Sequence, residues 1–206
     1  KSGVIKKTDM SSFANIRKAG LTAVNLREGD ELIAAFLTDG TKDIFAATRN
    51  GMGIRFNEND VRPMGRTATG VKAITLTGDD YVVSSDIIEE NDKLLNVTEN
   101  GYGKRTEESA FNVQYRGGKG VKIHQITEKT GLLSGVIKVS DNEELMIVTS
   151  EGVIIRLRGK EISTFGRISQ GVKLINLGEG VSVAGIAKID EEDIMEEESQ
   201  KTETEE

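Results

Sequence analysis

Apolar and polar residues follow one another along this 206-residue chain in short strand-like runs, and the pattern of runs returns about every fifty residues. Gly70-Val-Lys-Ala-Ile-Thr-Leu76 and Gly171-Val-Lys-Leu-Ile-Asn-Leu177 carry the same near-alternating pattern, that of a half-buried strand opened by a glycine. That glycine keeps its step as Gly20, Gly70, Gly120 and Gly171, and a turn glycine recurs as Gly3, Gly51, Gly101 and Gly152, 48, 50 and 51 residues apart. A strand is predicted after each turn glycine, over 4–7, 52–56, 102–106 and 153–157. A polar stretch then ends in an apolar residue ten positions past the glycine: Phe13, Val61, Phe111 and Ile162. Beyond the second glycine come an acidic turn (28–30, 78–80, 179–180) and two further strands, such as 81–88 and 93–98. Four strands at this period predict an all-β, propeller-like array of four-stranded blades, with repeats over 1–42, 43–91, 92–142 and 143–189. The first unit lacks the strand that should precede Gly3. Either the chain is a piece of a longer protein or another segment completes that edge.

Charge is uneven. The formal net charge is −7, but residues 190–206 hold ten acidic side chains against one lysine, which leaves 1–189 at about +2. The acidic tail is expected to be disordered, because it has too little apolar surface to offset chain entropy. There is no cysteine, hence no disulfide framework and no thiolate site, which fits a reducing compartment. No apolar run is long enough for a membrane helix, and no secretory pattern opens the chain.

Three recurring basic positions have no packing reason. Lys7, Arg55, Arg105 and Arg156 stand four residues after the turn glycine. Arg66, Arg116 and Arg167 stand four before the second glycine, with Arg17 one place off in the first unit. Lys72, Lys122 and Lys173 stand two after it, where the first unit has Thr22. A solvated face accepts Glu as readily as Lys, so three aligned basic sets predict a basic stripe around one rim. Such a stripe suits the phosphates of duplex DNA, bound largely without regard to sequence. The segment Gln114-Tyr115-Arg116-Gly117-Gly118-Lys119-Gly120 adds three glycines among cations. It reads either as a phosphate-binding loop with bare amides or as an ordinary inter-strand loop.

At these residues the chain resembles a known family, the C-terminal domain of the DNA gyrase A protein of bacteria, a type IIA topoisomerase component. The resemblance runs over almost all of 1–189. It is carried by Thr98-Glu-Asn-Gly-Tyr-Gly-Lys-Arg-Thr106, Arg62-Pro-Met-Gly-Arg-Thr-Ala-Thr-Gly-Val71 and Gly166-Arg-Ile-Ser-Gln-Gly-Val172. It implies a β-pinwheel whose blades exchange strands and whose basic rim wraps duplex DNA in support of ATP-dependent negative supercoiling. In some members the acidic tail modulates wrapping. Gln114–Gly120 is similar to the family's box motif, with Tyr115 where a basic residue is usual. The four units look like the last four of a six-bladed domain. The resemblance also implies an A2B2 assembly in the bacterial cytoplasm, with the nucleophilic tyrosine, ATP and Mg used elsewhere in the enzyme and no cofactor or metal in this chain. The isolated chain is expected to be a monomer.

Other readings are weaker. Tyr81, Tyr102 and Tyr115 sit in strand or loop contexts unlike a cleavage nucleophile's. His124 aligns with Val24, Ile74 and Ile175, so it replaces an apolar strand residue. The nearest alternative is the C-terminal DNA-binding domain of the topoisomerase IV A protein, where the box is usually degenerate. A protein-interaction propeller is a further alternative. It lacks support here, because Trp is absent and the Gly117-Gly118 doublet is not repeated once per blade.

Overall fold

The structure, a computed structural model, describes residues 1–16 and 18–189. Arg17 and the expected acidic tail, 190–206, lie outside the described residues.

The second unit shows how a blade is built. Strands β2 (Asp43–Thr48) and β3 (Met52–Asn57) form a hairpin, paired from Asp43↔Asn57 to Ala47↔Gly53. The turn between them needs a left-handed residue, supplied by Gly51 at φ +75°. Strand β5 (Val82–Ile88) of the same unit lines the other side of β2. The fourth strand, β8 (Val121–Lys122), comes from the next unit and pairs on β3 as Met52↔Lys122 and Gly53↔Val121. A blade is thus three strands of its own unit and one donated by its successor.

The third blade repeats this with β6 (Lys93–Thr98), β7 (Tyr102–Glu107), β9 (Leu133–Lys138) and the donated β12 (Val172–Lys173). The fourth has β10 (Glu144–Thr149), β11 (Ile154–Arg158) and β13 (Val183–Ile189), three strands with no donated one among the described residues. The first is only β1 (Val4–Ile5) against the donated β4 (Val71–Lys72).

Two features depart from the sequence expectation. The strand after the second glycine pairs over only two residues. The amides of Ala73 and Ile74 then both turn to the Gly3 carbonyl, at 2.8 and 3.3 Å, and the chain leaves the ladder. Leu174 and Ile175 do the same at Gly101, at 2.8 and 3.4 Å. In the first unit, residues 31–38 form no strand. Their counterparts β5, β9 and β13 pair with the strand preceding the turn glycine, and among the described residues no strand precedes Gly3.

Apolar clusters fill the spaces between successive sheets. One joins Ile44, Ile54, Phe56 and Ala73, another Phe45, Leu94, Phe111 and Ile123, and a third Leu95, Ile147, Ile162 and Val183. Val61, Phe111 and Ile162, ten past the turn glycine, plug these cores, and the Phe45 and Phe111 rings meet edge to face at 5.0 Å. Burying each such side chain stabilises the fold by about 1.5–3 kcal/mol.

Candidate nucleic-acid interface

The three basic sets occupy three different environments. Arg55 lies on β3 between two carboxylates. Its Nε donates to Asp43 Oδ2 at 2.8 Å, and its Nη1 pairs with Glu108 of the next unit. Lys7 reaches Glu58 in the same way, Nζ to Oε2 at 3.3 Å. Burial alone would raise the Glu58 pKa, but the Lys42 amide, the Thr38 hydroxyl and Lys7 more than offset it, and the carboxyl stays below its usual range. Arg105, 5% exposed, donates through Nε to the Ile162 carbonyl at 2.7 Å and pairs with Asp141, whose pKa it lowers. Arg156 pairs with Glu144, which also accepts from Arg158 Nε at 2.9 Å. In the first three units this set ties one blade to the next. The same residues' backbone carbonyls hold the following unit's loop, from Met64 N to Lys7 O (2.8 Å), Gln114 N to Arg55 O (2.7 Å) and Phe165 N to Arg105 O (2.8 Å).

The second set is half-buried and stands across the same joints. Arg116 Nη1 donates to the Lys72 carbonyl at 2.9 Å and its Nε to the Asp60 carbonyl at 2.7 Å. Arg167 Nη1 donates to the Lys122 carbonyl at 2.9 Å, and Arg66 Nη1 to that of Thr22 at 3.2 Å. Each arginine therefore grips the backbone of the third-set position one unit earlier.

The third set is exposed. Lys72, Lys122 and Lys173 form no ion pair among the described residues, and neither does Lys119 of the box. Because the arginines hold the lysines' own carbonyls, Lys72 stands beside Arg116 and Lys122 beside Arg167. Side-by-side cations without an acid repel one another, and an anion relieves that repulsion.

The box loop is only partly open. Gly117, at φ +83°, is not a bare amide, because its N–H donates to the Ala73 carbonyl at 2.6 Å. Its own carbonyl accepts from Thr75 Oγ1 at 2.6 Å, and the Gly118 carbonyl accepts from Thr75 N at 2.8 Å. Gln114 is anchored by its amide and Gly120 packs under Gly53, while Gly118 and Lys119 stay exposed and Tyr115 is 80% exposed. The loop thus seats Arg116 and Gly117 against Lys72 and leaves Tyr115 and Lys119 exposed beside them in sequence.

Sequence reasoning missed two groups. Lys129, in the turn between β8 and β9 at a repeat position that is Gly29, Asp79 and Gly180 in the other units, lies 5.4 Å from the Tyr102 ring, with Lys173 5.9 Å away on the same ring, extending the exposed basic surface. Lys104 is a buried cation that donates only to the carbonyls of Gly166 and Arg167, at 2.7 and 2.6 Å. Burial, and then Arg167, push its pKa down to about 8. Next to it, His124 is 1% exposed and neither ring nitrogen has a well-formed hydrogen bond. Burial first and Lys104 second hold the imidazole pKa down to about 4, and the nearby Gln170 backbone offsets this only in part. His124 is a core residue. Among the described residues no group of three or more His, Asp or Glu side chains could hold a metal ion, and no helix is long and apolar enough to cross a membrane.

Comparison with known proteins agrees with this architecture. The chain matches the family described as DNA gyrase C-terminal domain, beta-propeller, over residues 1–39, 42–89, 92–140 and 143–190. It is 67% identical to the DNA gyrase A protein of Halalkalibacterium halodurans over 193 residues, which is 94% of this chain and 23% of that protein. It is 48% identical to the corresponding Staphylococcus aureus protein over 208 residues, 99% of this chain and 23% of that protein. The chain thus spans less than a quarter of these curated relatives. Among solved structures it overlays a DNA gyrase A C-terminal domain with a TM-score of 0.81 at 27% identity, covering 92% of this chain and 63% of the other. It overlays the C-terminal domain of a DNA topoisomerase IV with a TM-score of 0.88, also at 27% identity, covering 100% and 64%.

Proposed function

The chain belongs to the DNA gyrase C-terminal domain family, and from that premise we propose that it binds and bends duplex DNA around its basic rim without itself performing catalysis. In the longer protein this bending supports ATP-dependent negative supercoiling, with the cleavage tyrosine and the ATPase outside this chain. The partners are duplex DNA and the remaining parts of an A2B2 gyrase assembly in the cytoplasm, and the chain itself needs no cofactor.

The observation that carries this reading is the pairing of cations at the inter-blade joints: exposed Lys72 with half-buried Arg116, and exposed Lys122 with half-buried Arg167, without acidic partners among the described residues. These two pairs, continued by the exposed Lys173, make a row suited to a phosphate backbone. Each neutralised phosphate releases counterions and lowers affinity at higher salt, by about 0.9 in log–log slope. Bending DNA costs on the order of several kcal/mol, which a row of contacts offsets and a single contact does not.

A ligation-closure experiment tests the reading. Nicked circular DNA is sealed with the chain bound, and the linking number is read after the protein is removed. A shift that grows with protein concentration supports wrapping of one hand. Absence of binding at low salt overturns the proposal.

A further inference from the structure

The loops that carry the second-set arginines are fixed to the joints beneath them in two different ways. Over β3 the loop holds itself. Gly117 takes a left-handed turn, φ +83°, and sends its N–H to the Ala73 carbonyl at 2.6 Å. Thr75 completes the seat, with its N–H on the Gly118 carbonyl at 2.8 Å and its Oγ1 on that of Gly117 at 2.6 Å. The strand residue below is apolar, and a Cβ at Gly118 would lie 3.7 Å from Ile54 Cδ1.

The loops of the flanking units lack that seat. Thr67 and Ile168 stand in place of Gly117, and neither has a positive φ. A β-branched residue enters the left-handed region only with strain, so these loop backbones take another course. Of the three links over β3, one recurs at 166–170, Gln125 N to the Ser169 carbonyl, stretched to 3.3 Å. None recurs at 65–69 among the described residues.

In both of these places a lysine stands three residues past the turn glycine, Lys6 just beyond β1 and Lys104 on β7, where β3 and β11 carry Ile54 and Ile155. Lys104 Nζ donates to the carbonyls of Gly166 and Arg167, at 2.7 and 2.6 Å. Lys6 Nζ donates to the carbonyls of Arg66 and Ala23. Ala23 is the counterpart of Ala73, so Lys6 takes the acceptor that Gly117 takes over β3. A side chain replaces the backbone link.

Packing does not explain the lysine. Lys104 is wholly buried with no acidic partner among the described residues, and isoleucine fills the same strand position on β3 without desolvating a charge. What the lysine adds is delivered to the arginine. It holds the Arg167 backbone while Arg167 Nη1 holds the Lys122 carbonyl at 2.9 Å, and the two side-chain charges repel each other.

We propose that Lys104 is a positioning residue for DNA binding, holding the 166–170 loop so that Arg167 stands beside Lys122 and both cations face phosphate, and that Lys6 serves Arg66 in the same way. This role rests on the DNA-binding reading of the rim, and neither lysine touches DNA itself.

A double-mutant cycle on the whole chain tests it. Lys104→Met keeps the aliphatic stem and removes the donors, and it is combined with Arg167→Ala. Affinity for a generic duplex is measured at moderate salt, urea unfolding checks that each variant is folded, and amide exchange is read at Gln125 and Thr75. Lys104→Met should weaken binding about fivefold, and no further in the Arg167→Ala background. Exchange should quicken at Gln125 and stay unchanged at Thr75, whereas a general loss of stability would move both. Lys104→Ile, the residue found on β3 and β11, is the second variant and should give the same pattern. If the unmodified chain leaves the duplex unbound at low salt, the DNA reading falls and this role with it. If it binds, an affinity indifferent to Lys104→Met, additive losses in the cycle or unchanged exchange at Gln125 overturns the positioning role alone. Failure of both variants to fold also overturns it, because the lysine would then serve the fold.

Discussion

The cations four residues past the turn glycine and those two past the second glycine recur with the same period and the same charge, yet they do opposite things. Arg55 and Arg105 are enclosed by carboxylates and carbonyls and tie blades together. Lys72, Lys122 and Lys173 stand in solvent with no acid in reach among the described residues. Periodicity therefore marks what each blade needs but not why. The presence or absence of an anionic partner separates a cation that holds the fold from one that is free to hold a ligand.

The largest test removes an inner cation. Arg55→Ala strands Asp43 and Glu108 in a half-buried site, and it should lower stability by about 3–5 kcal/mol, read from urea unfolding. If stability changes by less than about 1 kcal/mol, the size of an exposed pair, the inner set does not hold the blades.

The buried cation sharpens the comparison through pH. Lys104 has a folded pKa of about 8, below its ordinary 10.5, so between these values the unfolded chain binds the extra proton. Stability should then rise from pH 8 to 10.5, by at most about 3 kcal/mol, and Lys104→Ile, matching Ile54 and Ile155, should flatten that rise. The neutral His124 acts in the acid range. Its folded pKa of about 4 lies below 6.5, so stability is lost as pH falls from 6.5 towards 4, and His124→Ile should remove that loss. Thermal melts across both ranges check the two windows.

The smallest effect on folding belongs to the outer set. Replacing Lys72, Lys122 and Lys173 together by Ala should leave stability within about 0.5 kcal/mol, since no native contact of their ammonium groups with an acid is lost. A larger loss would mean that these lysines also support the sheets.

Much of this was legible in the sequence. The Asn-Gly turns at Gly51 and Gly101 announced the hairpins, and the apolar residues ten positions later, Val61 and Phe111, announced the plugs of the cores. The resemblance also carried the strand exchange seen where β8 joins β3. The fate of residues 31–38 was not legible, because their pairing depends on a strand before Gly3 rather than on their own pattern. The roles of the cations were hidden for a similar reason. Arg55 finds Glu108 in the next unit, more than fifty residues on, and only the recurrence of Glu58 and Glu108 at one repeat position could have signalled it. Arg105 meets Gly159 at that position and turns to Asp141 instead. The bare-amide reading of the box failed at Gly117 because Ala73, from the preceding unit's donated segment, accepts its N–H.

If the exposed lysines, and not the ion-paired arginines, meet phosphate, the two sets must differ in how they change the response of binding to salt. The salt dependence of affinity for a generic duplex, taken for the unmodified chain, the triple Lys72/Lys122/Lys173→Ala variant and Arg55→Ala under conditions where each is folded, reads this difference. The triple variant should lower the log–log slope by about 2.7, three phosphates at about 0.9 each, while Arg55→Ala leaves it unchanged. An unchanged slope in the triple variant, or an equal fall in Arg55→Ala, would contradict the division of labour between the two sets.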